Sequence, residues 1–258
     1  MIVDSHCHLD RLKLDAYQGD LSQAIQAARE AGVSQMLCIA IDRGNVPEVV
    51  AIARQFEGIY ASVGIHPLDV EQSPAAVEEL LVMAALDEKV VALGETGLDY
   101  YYSKDNLVQQ QQSFIAHIEA ATQCRKPIIV HTRDAKLDTI NILRQYSDPD
   151  VAGVMHCFTE DWEMAKQAVD LGFYISISGI VTFKNADQVR DVASKVPMDR
   201  LLIETDSPYL APVPHRGKSN EPKYVRDVAL FMAELRGVSL DDLAAHTTAN
   251  FQRLFKLT

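Results

Sequence analysis

The 258-residue sequence predicts an α/β protein folded as a single (β/α)8 TIM barrel spanning 1–258, on three observations. Short apolar runs alternate with amphipathic stretches about eight times, as the repeating unit of a closed parallel barrel requires. No Pro/Gly/Ser-rich linker, low-complexity tract or charge block breaks the alternation, so no domain boundary is indicated. Nearly every apolar run ends in a side chain able to bind metal or phosphate, which is where barrel enzymes carry their sites. A doubly wound open sheet is the alternative, but the first turn lacks the Gly-rich phosphate-binding signature of that fold.

The predicted strands are 2–5 (IVDS), 33–40 (VSQMLCIA), 59–65 (IYASVGI), 90–95 (VVALGE), 127–131 (PIIVH), 151–156 (VAGVMH), 173–178 (FYISIS) and 201–206 (LLIETD). Their near-continuous hydrophobicity suits parallel strands covered on both faces. Helix-period patterns lie between them, for example at 20–31, 73–86 and 184–196. Several open with a capping Asp or Ser, and Gly32 and Gly172 mark helix ends.

With 48% hydrophobic residues the chain can bury a substantial core. Its net charge of −12, from 36 acidic and 24 basic residues, excludes a basic protein that coats nucleic acid. An anionic partner must therefore be held by local positive charge or by metal. The four cysteines form no C-x-x-C pair, which argues against a zinc ribbon or a disulfide framework and suits a reducing, cytoplasmic setting. No apolar run approaches the ~20 residues that span a bilayer, and no obligate protein partner is indicated.

His6 and His8 follow the first predicted strand, His66 the third, Glu95 the fourth, His131 the fifth, His156 the sixth and Asp206 the eighth. Five of the eight histidines thus fall at strand ends, which scattered core histidines would not do. In extended backbone, residues i and i+2 face the same way, so His6 and His8 point inward together and Cys7 points away. Asp4 shares their facing and is expected to orient a ligand imidazole. The nitrogen and oxygen ligands His6, His8, Glu95, His131, His156 and Asp206 suit Zn, Mn, Fe or Mg, and six exceed what one tetrahedral zinc uses. Two divalent ions are expected, with Glu95 as the natural bridge.

The segments VDSHCHLD (3–10), GIHP (64–67), GETGLDYY (94–101), HTRDA (131–135), HCF (156–158) and ETDSPYLAPVPHRGKSNEP (204–222) together resemble the TatD family of metal-dependent deoxyribonucleases, across essentially the whole chain. The resemblance implies a TIM barrel, the same six metal ligands, and hydrolysis of DNA phosphodiesters, commonly exonucleolytic.

On this reading Asp206, Glu95 and His66 are the catalytic candidates, with Asp206 orienting the attacking water or accepting its proton. Glu204 shares the facing of Asp206 and is a candidate for a supporting hydrogen bond or a substrate contact. His66 and Arg133 are candidate donors to phosphate oxygens, although an ion pair with a helix carboxylate would also account for Arg133. Arg216 and Lys218, in a long loop that is locally basic, are expected to rim a phosphate-binding surface. Tyr100, Tyr101 and Tyr102 could stack on unpaired bases of single-stranded or frayed DNA, but packing among loop aromatics is the simpler expectation. His117 and His246 fall in helical patterns and read as structural or surface residues, and Cys157 reads as strand packing. The same metal chemistry would also serve a small-molecule amide, lactone or phosphoester, which is the competing function.

Overall fold

The computed structural model describes residues 1–70 and 74–257. Its eight strands pair in parallel in strict sequence order: β1 (Ile2–Cys7), β2 (Val33–Ile39), β3 (Ile59–Val63), β4 (Val90–Asp99), β5 (Ile128–Arg133), β6 (Gly153–Met155), β7 (Tyr174–Ile177) and β8 (Leu201–Ile203). The ring closes just beyond β8, where Asp206 N–H donates to His6 O at 2.9 Å and His8 N–H to Ser207 O at 2.8 Å. The predicted barrel is present, and the bonds that close it run through three of the six predicted ligands.

The helices are α1 (Leu21–Glu30), α2 (Val46–Gln55), α3 (Val77–Ala84), α4 (Leu107–Cys124), α5 (Lys136–Tyr146), α6 (Trp162–Asp170), α7 (Asp187–Lys195), α8 (Val225–Arg236) and α9 (Leu240–Leu254). Caps fix several starts: the Asp20 carboxylate accepts Ser22 N–H at 2.8 Å, and that of Asp161 accepts Met164 N–H at 3.0 Å. Ser73, the first residue of the predicted 73–86 helix, lies outside the described residues, and α3 begins at Val77.

Helix α9 is additional to the eight-fold repeat. It meets the N-terminal end of the barrel: Asn250 Nδ2 donates to Met198 O and Leu201 O beside β8, and Thr248 Oγ1 donates to Met1 O beside β1. Phe251 and Leu254, with the following Phe255, pack into a cluster with Val3, Leu37, Ile129, Val154 and Leu202. Fully burying a side chain of this size contributes about 1.5–3 kcal/mol, so α9 is an apolar plug for the barrel floor.

Strand β4 runs four residues beyond its predicted end at Glu95. The apolar signal stops there, but glycine lets the strand continue. A Cβ on Gly97 would lie 2.0 Å from His131 O, and one on Gly94 2.6 Å from Ile129 O. Only a residue without Cβ allows β4 to press this closely on β5. Conversely β6 and β8 stop early, so His156 and Asp206 sit in turns rather than on strands.

A candidate metal centre at the barrel mouth

The C-terminal ends of the strands open into a cavity of about 750 Å³ lined by His8, His66, Glu95, His131, His156 and Asp206 among others. Glu95 stands at its centre. Oε1 lies 2.8 Å from His156 Nε2, 3.1 Å from His131 Nδ1 and 3.4 Å from His66 Nε2, while Oε2 lies 3.4 Å from His6 Nε2. Asp206 Oδ1 is 3.4 Å from His8 Nε2 and 3.7 Å from His6 Nε2. The two oxygens of Glu95 therefore face two different histidine groups, as a carboxylate bridging two ions must.

Backbone conformation aims several of these groups. Asp206 has φ 56° and Cys157, next to His156, has φ 42°, a left-handed region that costs non-glycine residues energy and concentrates at functional sites. These sharp turns explain why His156 and Asp206 both point into the mouth although β6 and β8 have already ended. They also correct the reading of Cys157 as strand packing: it lines the cavity, with Sγ 3.2 Å from Ser178 Oγ. Cys7 does face away from the site, its thiol donating to Leu37 O at 3.4 Å.

Hydrogen-bond partners fix which nitrogen of His8, His156, His131 and His66 is free. His8 Nδ1 is 3.2 Å from Ile39 O, an acceptor only, so Nδ1 carries the proton and Nε2 offers its lone pair to the site. His156 Nδ1 faces Glu204 Oε1 at 3.3 Å with the same consequence. In His131 the roles reverse: Nε2 donates to Asp99 Oδ2 at 3.1 Å, leaving Nδ1 toward Glu95. His66 differs. Its Nδ1 accepts Leu68 N–H at 3.2 Å, so in the neutral ring Nε2 carries the proton and points at the site as a donor. Proximity alone groups His66 with Glu95 and His131 as possible ligands; the tautomer argues for a hydrogen-bond role instead.

Electrostatics follow from this crowding. Burial raises the Glu95 carboxyl, but His156, His66 and His131 outweigh it and hold it well below the usual carboxylate range. Asp206 is likewise depressed, burial being outweighed by His8, His6 and His156. Burial lowers His156, but Glu95 and Glu204 lift it well above an ordinary histidine. His6 stays depressed by burial and by neighbouring His156. Both ring nitrogens of buried His6 and Nε2 of His156 have no hydrogen-bond partner; the 2.8 Å approach of His156 to Glu95 lacks hydrogen-bond geometry. Buried polar atoms are rarely left so. Lone pairs converging on paired carboxylates fit divalent cations, and His6, His8 and Glu95 place one ligand atom each within 4.8 Å of one another, as do His6, His156 and Asp206.

The supporting residues are partly those expected. Glu204 is fully buried, bonded to His156 Nδ1 and to Cys157 N–H at 2.8 Å, so it holds a ligand and is shut off from any substrate. Asp4 does not reach an imidazole. Its carboxylate accepts the backbone N–H of His6 at 3.3 Å and the N–H and hydroxyl of Thr205 at 2.9 and 2.5 Å, tying β1 to the Asp206 turn. Burial pushes Asp4 up to about 8. Arg133 lines the cavity as expected, but Arg216 and Lys218 do not. Arg216 lies 3.7 Å over the Phe183 ring and donates to Ala211 O, and Lys218 is exposed.

Two residues at the mouth escape sequence reasoning. Asp99 orients His131, and Arg11, held by Asp10 and Asp42, lines the cavity from the loop after β1. The GETGLD segment and the D-R step after the first strand contain both, but only the folded register shows what they face. His117 is structural, as expected, and fully buried: its Nδ1 donates to Ser113 O at 2.7 Å and its Nε2 accepts Ile65 N–H at 3.1 Å, beside His66. His246 is exposed. No helix among the described residues is long and apolar enough to cross a membrane.

Known proteins agree with this geometry. The TatD related DNase family model matches residues 3–256. The uncharacterized metal-dependent hydrolase YcfH of Escherichia coli (strain K12) is 52% identical over 99% of this chain and 96% of its own length. The uncharacterized metal-dependent hydrolase YabD of Bacillus subtilis (strain 168) is 40% identical over the full length of both. The crystal structure of YjjV, a TatD homologue from Escherichia coli K12, superposes with a TM-score of 0.92 at 30% identity, covering 100% of this chain and 98% of the other. A barrel with this ligand set, matched from end to end by these proteins, belongs to the TatD family of metal-dependent hydrolases.

Proposed function

We propose that this hydrolase cleaves phosphodiester bonds of DNA, exonucleolytically, with single-stranded or frayed ends as substrate and two divalent ions, of Zn, Mg or Mn, shared across Glu95. The observation that carries the proposal is the donor set around the carboxylates. Beside the ligand cluster the cavity presents His66 Nε2–H and the guanidinium groups of Arg133 and Arg11, all suited to the oxygens of a phosphoryl group.

His6, His8, Glu95, His131, His156 and Asp206 would hold divalent ions, whose chemistry there would be to lower the pKa of water toward neutrality and to polarise a phosphoryl oxygen. The chain's own groups do the rest. Asp206 is ionised and faces the cavity, where it orients the attacking water and accepts its proton. Glu204 and Asp99 hold His156 and His131 in the tautomers that present a lone pair. His66 Nε2–H donates to a non-bridging oxygen as charge grows on it, and Arg133 neutralises a neighbouring phosphate.

The test compares metal-loaded protein with its His131→Ala variant on single-stranded DNA, with and without chelator, beside a panel of small esters, lactones and amides. Cleavage of DNA that is lost both on chelation and in the variant is the expected result. Metal-dependent turnover of the small compounds without cleavage of DNA would overturn the proposal in favour of a small-molecule hydrolase.

A further inference from the structure

Building on the phosphodiesterase reading, we propose that Tyr101, Tyr102 and Arg133 form a nucleobase subsite of the metal centre, where an unpaired base beside the scissile bond stacks on the phenol rings and Arg133 meets the adjacent phosphate. Packing among loop aromatics, the simpler expectation, is present, since the Tyr101 and Tyr102 rings meet edge to face, but it leaves both rings largely in water, unlike Tyr100. Tyr100 is half-buried, and its hydroxyl donates to Asp138 Oδ2 at 2.8 Å. Tyr101 and Tyr102 are 53% and 64% exposed, with ring centroids 4.8 Å apart and planes nearly perpendicular. Tyr102 lines the cavity and Tyr101 stands behind it against Arg133, so ring surface left in water here is what stacking on a base would cover.

Arg133 supplies the charge. Its guanidinium carbon lies 4.2 Å from the Tyr101 centroid and 4.6 Å from that of Tyr102. No carboxylate among the described residues pairs with it, in contrast to Arg11, which faces Asp10 and Asp42. In a chain of net charge −12, an unneutralised guanidinium held by aromatic rings at the cavity edge is suited to a phosphate oxygen.

The platform is tied to the chemistry through Asp99. Its Oδ1 accepts the backbone N–H of Tyr101 at 3.0 Å and of Tyr102 at 2.9 Å, while its Oδ2 accepts Nε2–H of the ligand His131. The backbones of Asp99 and Arg133 are register neighbours on β4 and β5, and Tyr100 N–H donates to Arg133 O at 2.9 Å. The Gln110 side chain grips the backbone of Asp99 from both sides, accepting its N–H and donating to its carbonyl. One carboxylate thus sets both a metal ligand and the aromatic turn, which keeps a stacked base in register with the bond to be broken.

The experiment uses full-length, metal-loaded protein and single-stranded oligonucleotides that are intact or carry one abasic residue at either position flanking the cleaved bond. The readout is the ratio of kcat/KM for intact over abasic substrate. Base–aromatic stacking predicts a preference of about 5- to 100-fold at one flanking position. In Tyr101→Leu with Tyr102→Leu that ratio should fall toward one, through KM, with metal content and melting temperature unchanged. The corresponding pair of Phe substitutions should restore it, and Arg133→Gln should reduce the salt slope of KM by about 0.7. A Leu pair that keeps the parent ratio, a Phe pair that loses it, or a parent enzyme that cleaves intact and abasic DNA equally would overturn the subsite alone. A parent enzyme that cleaves no DNA yet hydrolyses small esters overturns the phosphodiesterase reading, and the subsite with it.

Discussion

The two ends of the barrel share the same eight strands and are finished in opposite ways. At the floor, α9 covers the strand ends with Phe251, Leu254 and Phe255, and Asn250 satisfies two carbonyls at 2.7 and 2.8 Å. At the mouth, buried nitrogens of His6 and His156 have no hydrogen-bond partner, the cavity-lining Cys157, Asp206 and Leu210 sit at positive φ, and carboxylates crowd against imidazoles. The first arrangement is apolar, with the polar side chain of Asn250 paired to carbonyls; the second leaves buried polar atoms unpaired and crowds charge in one place. Unpaired imidazole nitrogens and crowded carboxylates concentrated at one end of a well-packed scaffold are what a site made for a ligand looks like.

If the two ends are independent, damage to the floor should cost stability and leave the site intact. Phe251→Ala should destabilise by about 3–5 kcal/mol in urea unfolding, while the remaining folded protein keeps its metal affinity. A parallel loss of metal affinity would show that the ends are coupled.

His117 lies between the two regimes, a floor-like buried group that supports the mouth through Ile65. Burial pushes it down to about 4 from 6.5. Between those values the unfolded chain takes up a proton that the folded chain refuses. Stability therefore holds in full above pH 6.5 and falls as pH drops toward 4, by up to about 3 kcal/mol. Because Ile65 N–H needs an acceptor, His117→Gln can keep the bond while flattening this slope in denaturation measured at several pH values. An unchanged slope would mean that His117 is not the group responsible.

A smaller effect is expected at Glu204, which touches a ligand and not the substrate. Glu204→Gln should weaken metal binding about 10- to 100-fold, read by competition with a chromogenic chelator, and saturating metal should restore kcat. A kcat defect that persists at saturation would put Glu204 in the reaction itself. Smallest of all is Lys218→Ala: being outside the cavity, it should change KM for DNA by less than about twofold, and a larger change would extend the functional surface over the loop after β8.

The barrel, and the convergence of the six candidate ligands at its mouth, were legible because both are written locally. Parallel strands carry continuous apolar runs, and the ligands follow those runs directly, as in HCH at 6–8 or ETD at 204–206. What was not legible depends on register or on contacts distant in sequence. Asp99 lies past the apolar part of β4, and only the close approach at Gly97 brings it to His131. Glu204 shares strand parity with Asp206, but the turn at Asp206 separates their facings and leaves Glu204 under His156. Arg216 reads as a basic rim because charge in a loop suggests exposure; it is exposed, and what the sequence does not show is that Phe183, 33 residues earlier, carries its guanidinium outside the cavity lining.

The central claim is that Glu95 joins two cation sites at the mouth. Equilibrium dialysis of chelator-stripped protein against Mn²⁺ and Zn²⁺, with metal counted per chain by mass spectrometry, tests it most directly when the parent is compared with Glu95→Gln. Two ions per chain in the parent, and a variant that binds fewer at the same free metal while remaining folded, is the result the account predicts. A parent that saturates at one ion, or a Glu95→Gln variant that still binds two with parental affinity, would contradict it.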